Sequence, residues 1–341
     1  MKKFTFFTPF LIFISCMSTQ KIESNSINTN SSLKIGFASC LNQEKKMPIF
    51  NRIKTEGFDL FLMMGDNVYG NSKSENLKEL RLAYDKQRQN FDKLDFDFPI
   101  EAIWDDNDYG LGDGGKEYYL KEKSKQLFLN FWDIPSKDPR RQRNGLYHEV
   151  IQNYNGKSIQ ILFLDTRTFR DKLKPTDNKG AVGKERYIPS PDTTLTMLGK
   201  EQWQWLAQKI SKPANYRFMV SSIQFIAVGH GWECWNNLPY ERQRLIDLID
   251  RSDLEHTVML SGDRHRGGLY QLKTKSNKII SEMTSSSLNV PYSSPEEPGP
   301  LRIGSTYSKE NYGVIQFFES QDSISVMLKN INGEIVNSFK L

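Results

Sequence analysis

Short apolar runs that break off into polar, chemically capable residues recur along the chain from residue 33 onward. Residues 33–38 run into Ser39-Cys40, 58–64 into Gly65-Asp66-Asn67-Val68-Tyr69, and 100–104 into Asp105-Asp106-Asn107-Asp108. Residues 159–164 give way to Asp165-Thr166-Arg167, 218–220 to Ser221-Ser222-Ile223-Gln224, and 257–260 to Ser261-Gly262-Asp263-Arg264-His265. Runs of this length, rich in β-branched and aromatic residues, predict buried strands. Between them a 3.6-residue apolar spacing predicts helices over 75–94, 116–132, 200–210 and 239–249, the last opening on a proline suited to a first turn. Residues 323–328 and 335–339, separated by Asn332-Gly333, predict a C-terminal β-hairpin.

The alternation predicts an α/β fold, sheets flanked by helices. In open α/β sheets ligands sit beyond the carboxyl ends of strands, so six strand ends loaded with ligand-type side chains point to one shared site. Residues 170–198 and 285–312 are rich in Pro, Gly and Ser and read as long surface loops, suited to the rim of a substrate cleft.

The N-terminus follows a different pattern. Lys2 and Lys3 precede the apolar run 4–14, then Ser15 and Cys16, a secretory signal layout too short to span a membrane. Phe13-Ile14-Ser15-Cys16 resembles a bacterial lipobox, which predicts a lipid-anchored Cys16 on the periplasmic or cell-surface face. Residues 17–32, mostly Ser, Asn and Thr, read as a flexible tether, leaving 33–341 as one catalytic domain.

Composition narrows the classes further. With 341 residues, 38% of them hydrophobic, the chain can bury a sizeable core, and three cysteines exclude a disulfide-dense scaffold. The formal charge of +5, from 46 basic and 41 acidic residues, gives no electrostatic case for nucleic acid.

Asp66, Asp106 and Asp263 each follow a buried strand, and three bare carboxylates buried together require cations. Hard oxygens with an imidazole, and a thiolate or phenolate nearby, suit a transition ion together with calcium or magnesium. The acidic run at 105–110 fails as an EF-hand loop, because Gly110 falls where a third ligand is needed. Of four histidines, His265 lies beside Asp263, and His230 sits between two glycines, free to reach a site; His148 and His256 read as structural or exposed. No nucleophile elbow or Walker loop occurs.

Ser39-Cys40, Gly65-Asp66-x-x-Tyr69, Trp104-Asp105-Asp106-x-Asp108-Tyr109-Gly110 and Ser261-Gly262-Asp263-x-His265 resemble the signatures of the alkaline phosphatase D (PhoD-like) family of the calcineurin-like metallophosphoesterase superfamily. The likeness continues, in family order, through Leu164-Asp165-Thr166-Arg167, Gln202-x-x-Trp205, His230-Gly231-Trp232-Glu233-x-Trp235 and Thr284-Ser285-Ser286. It implies a four-layer α/β/β/α sandwich and a metal-dependent phosphoric ester hydrolase acting outside the cytoplasm. It further implies that Cys40, Tyr69, Asp263 and His265 hold an iron(III)-type ion, that Asp66 bridges the metals, and that Asp106 helps hold calcium.

Asn107 stands where the family usually has histidine, Gly112 replaces a frequent asparagine, and the short distance from Cys16 to the first strand leaves no room for the family's N-terminal β-domain. Asn107, Arg167 and His230 are the expected catalytic residues, with Arg167 gripping a phosphoryl oxygen. Asn67 is expected to touch substrate, and Trp232 and Trp235 to wall the leaving-group pocket. The competing expectation is a surface lipoprotein that binds metal or phosphate with lost or weak turnover.

Overall fold

The strand-like runs assemble into two sheets in this computed structural model, which describes residues 32–254, 256–318 and 323–341. The signal and tether expectations for residues 1–31, Cys16 included, lie outside the described residues. In the first sheet the strand order is Ile335–Lys340, Ile324–Asn330, Asn311–Phe318, Ser32–Ala38, Leu60–Met64, Ile100–Ile103. The last three run parallel and the C-terminal strands antiparallel, so the predicted hairpin continues this sheet to its edge. The second sheet runs Arg302–Tyr307, Gly267–Lys273, Ile279–Thr284, His256–Ser261, Tyr216–Ser221, Lys157–Leu164, His148–Tyr154. Its centre is parallel as well.

Side-chain alternation shows how the layers stack. Ile161, Phe163, Phe218, Val220, Val258 and Leu260 of the second sheet share one core with Ile35, Phe37, Phe61, Val314 and Val326 of the first. The residues between them, Leu162, Leu164, Met219 and Met259, join a second core with Trp203, Leu206, Leu245 and Ile249 from helices Gly199–Ile210 and Pro239–Asp250. Strands buried on both faces are apolar throughout, which is why they read as continuous runs. Helices Lys78–Leu94 and Lys121–Phe131 accompany the first sheet through Leu80, Ala83, Phe128 and Leu129.

Residues Ser32–Leu341 form one compact unit. Among the described residues no helix is long and apolar enough to cross a membrane. The loop over 170–198 carries only an isolated bridge between Pro175 and Tyr187. The second expected loop differs: it contains the edge strand Arg302–Tyr307, which pairs with Gly267–Lys273 through a shift in register. That irregular pairing, and a strand with no buried position, leave no alternation to read.

Candidate active site

Parallel strands from both sheets end at one place, and their loops are stitched together there by backbone bonds. Cys40 N–H donates to Gly65 O, Leu41 N–H to Asp66 O, and Gly262 N–H to Ser222 O. Such close passage selects glycine: a Cβ at Gly65 would stand 2.6 Å from Asp105 Cβ, and one at Gly262 2.5 Å from Ser39 Oγ. Cys40, Asp66, Asp263 and His265 have φ of 60°, 53°, 64° and 55°. Side chains rarely adopt this left-handed region, and such backbone clusters where a site demands it.

The turns aim donor atoms at common points. Cys40 Sγ and Asp66 Oδ2 are 3.8 Å apart, and Tyr69 Oη lies 3.2 Å from His265 Nε2. Atoms of Cys40, Asp66 and His265 fall within 4.8 Å of one another, as do carboxylate oxygens of Asp66, Asp105, Asp106 and Asp263. The imidazole of His265 also bonds the Val290 backbone, the outer contact that orients a ligating histidine. Asp106 begins the one-turn helix Asp106–Tyr109, with Asp105 as its N-cap.

Electrostatics makes this cluster costly unless a cation fills it. Burial, reinforced by Asp106, holds the Asp66 carboxyl well above the usual carboxylate range. Burial and Asp105 do the same to Asp263, while Asp105 itself is pushed up to about 7 by burial. Burial and Asp263 push the Cys40 thiol up to about 12. Proton release to a bound ion would relieve all four shifts together. Asp105 belongs to this group of four carboxylates, and its buried Oδ2 has no hydrogen-bond partner. Thiolate, phenolate, imidazole and carboxylate suit a high-charge transition ion, and a carboxylate-only set suits a hard cation such as calcium. The residues fit both groups.

Above the donors lies a cleft of about 480 Å³, lined on its floor by Tyr69, Asp106, Asn107, Asp263 and His265. Asn107 N–H donates to Asp66 Oδ1 (3.1 Å), and its amide Nδ2 donates to Asp66 Oδ2 (3.0 Å) and Asp106 Oδ1 (2.8 Å).

Four expected site residues are placed elsewhere. Arg167 is fully buried, its guanidinium on Asp105, Glu233 and the Gly114 carbonyl, so no face is left to grip a phosphoryl oxygen. Trp235 is a core residue, edge-on to Phe225 with its indole N–H on Ser221 Oγ; Trp232 alone walls the cleft. Asn67 is sealed beneath the site, donating from its backbone to Asp108 Oδ2 and from its amide to Ile103 O. His230 has both ring nitrogens engaged, Nδ1 accepting from Trp232 N–H and Nε2 against Gln224 Oε1, and does not line the cleft.

His148 is buried, as a structural reading required, with Nε2 at 3.2 Å from Glu101 and its ring stacked on Phe163. Cys40 and Cys234 are both free thiols.

The pattern of strand ends did not reveal Asp105 as a donor, nor Asn71, Asp113, Arg186, Glu233, Arg264 and Tyr292 as cleft residues. Asp105 had a signal, its place in the same acidic run as Asp106. Arg186 and Tyr292 come from the two long loops expected at the rim.

A family model described as PhoD-like phosphatase matches residues 35–323. Alkaline phosphatase D of Bacillus subtilis (strain 168) is 24% identical over 289 residues, covering 74% of this chain and 49% of that protein. The chain thus spans about half the length of the curated relative it matches. Among solved structures it is similar to PhoD, at 18% identity and a TM-score of 0.68, over 91% of this chain and 72% of that one. It also resembles purple acid phosphatase PPD1 from yellow lupin (Lupinus luteus) seeds, at 11% identity and a TM-score of 0.60, covering 92% and 54%. GAP50, the anchor in the inner membrane complex of Plasmodium, is 12% identical with a TM-score of 0.59, covering 92% and 89%. These likenesses show a shared fold.

Proposed function

The chain belongs to the PhoD-like phosphatase family, and from that premise we propose that it is a metal-dependent phosphoric ester hydrolase. One observation carries the reading: Tyr69, Asp106, Asp263 and His265 line the floor of one cleft, and Cys40, Asp66 and Asp105, also from strand ends, cluster with them. Cys40, Asp66, Tyr69, Asp263 and His265 would hold an iron(III)-type ion. Asp66 and Asp106, with Asp105 and Asp263 beside them, would hold calcium or another hard divalent ion. When bound, such ions supply an activated water and neutralise phosphoryl oxygens.

The chain's own residues do the positioning. Asn107 ties Asp66, which both ion positions would use, to Asp106 of the hard-ion position, and Asp105 is steadied from behind by Arg167. Arg167 therefore acts through Asp105 and never meets substrate. An amide at 107 carries no titratable proton, so proton donation to the leaving oxygen has no source there, and esters with good leaving groups are favoured.

Purified protein supplied with iron and calcium, assayed on p-nitrophenyl phosphate and bis-p-nitrophenyl phosphate, tests the hydrolase. Metal uptake without turnover on either would instead support the metal-binding lipoprotein. Export with a lipid on Cys16 belongs to the same proposal. Fatty-acid labelling that Cys16→Ala abolishes supports it, and equal labelling of both proteins contradicts it.

A further inference from the structure

Two cations line the cleft, and only one has an edge to spare. Arg264 is buried and paired with Glu297. The Arg186 side chain is 49% exposed; its Nη1 donates to Asp113 Oδ2 at 2.7 Å, and its Nε and Nη2 have no partner among the described residues. The guanidinium lies over the Trp232 ring, 5.1 Å from its centroid. Nε and Nη2 form one edge of the guanidinium, the pair of donors that grips an oxyanion with two parallel bonds.

The pose is built in. Gly231, next to Trp232, accepts both Arg186 N–H (2.8 Å) and Tyr187 N–H (2.7 Å), which fixes the rim loop over the indole. A Cβ at Gly231 would fall 2.3 Å from Glu185 N, so no other residue allows this approach. Tyr187 Oη shares Asp113 Oδ2 at 2.8 Å, and Asp113 N–H donates to Asp106 Oδ2 at 2.8 Å. One residue, Asp113, thus separates the guanidinium from the carboxylate floor. Arg186 lines the same cleft as Asp106, Asn107, Asp263 and His265, so it borders the space that a small molecule on that floor would occupy.

We propose that Arg186 is the centre of an oxyanion subsite, and that the preferred substrate is a phosphate ester whose alcohol part carries a second phosphate or carboxylate. The inference rests on the hydrolase reading for its reaction, and on Arg186, Asp113 and Trp232 alone for its recognition.

The test compares propyl phosphate with the same ester bearing a terminal carboxylate and with propane-1,3-diol bisphosphate. It is read by kcat and KM and, in parallel, by calorimetric binding of the matching phosphonates to metal-supplied protein. The wild type should favour the tailed compounds in KM or Kd by about tenfold or more, as a charge-assisted pair predicts. Arg186→Gln should bring that ratio to about one, and Arg186→Lys should keep only part of it; each ratio is internal to its variant. The carboxylate and bisphosphate arms identify which oxyanion is read. No turnover with the ratio intact in binding would overturn the hydrolase reading and support the subsite. A wild-type ratio near one, or a ratio that survives Arg186→Gln, overturns the subsite.

Discussion

Asn107 and Asp66 are joined twice: the Asn107 backbone N–H reaches Oδ1 and its amide Nδ2 reaches Oδ2, at 3.1 and 3.0 Å. The second amide proton goes to Asp106, and Asn71 Nδ2 caps the Asn107 carbonyl at 2.9 Å. Every polar group of the Asn107 side chain is thereby committed, and the residue acts as a brace between two carboxylates.

Asn107→His should restore a titratable group at the floor. Turnover of alkyl phosphates should then rise more than that of nitrophenyl esters, because proton donation matters most for poor leaving groups and is typically worth about 10²–10⁴ in rate. Steady-state rates on both substrate classes check it. Equal response of the two classes, or an inactive variant, would mean that bracing is the whole role of Asn107.

Stability of the metal-free protein should fall as pH rises from about 7 to about 8.5. Asp66, Asp108 and Asp263 are held well above ordinary carboxylates by burial, and Cys40 is pushed up to about 12. A group with a raised folded-state value binds more protons folded than unfolded, so its stabilisation is present below the unfolded value and lost as pH climbs through the folded one. The buried histidines are shifted down and titrate below this window. Melting temperatures of stripped and loaded protein check the sign, and metal affinity should rise with pH as protons are displaced. A stripped protein that melts higher at 8.5 than at 7 contradicts it.

Arg167→Ala should destabilise the fold by about 3–5 kcal/mol, since it strands Asp105 as an uncompensated buried carboxylate and leaves Glu233 with Arg170 alone. Denaturant unfolding of the metal-free variant measures this. Unchanged stability with a selective loss of kcat/KM would return Arg167 to the role of a phosphate grip.

Much of this arrangement was legible because parallel strands buried on both faces leave uninterrupted apolar runs, and because ligand chemistry needs particular residue types just past them. Cys40, Asp66, Tyr69, Asp106, Asp263 and His265 met there as their positions implied. A strand end gives a residue's place, however, and leaves open the direction of its side chain. Asn67 follows Asp66 directly yet points under the site, and Arg167 turns inward to Asp105. His230 was expected to be free between two glycines, but Gln224 and Trp232 hold its ring. Asn71, Asp113 and Arg186 sit in loops with no periodicity, and only the fold brings them to one cleft.

Ion binding at these strand ends is proposed to run through Asp66. Elemental analysis of wild type and Asp66→Asn, each purified and supplied with iron and calcium under the same conditions, tests it most directly. A neutral amide offers one good acceptor oxygen where the carboxylate offers two. Bound metal is expected in the wild type, and its loss, together with p-nitrophenyl phosphate turnover, in a folded Asp66→Asn. Wild-type metal content and near-normal turnover in the variant would contradict it.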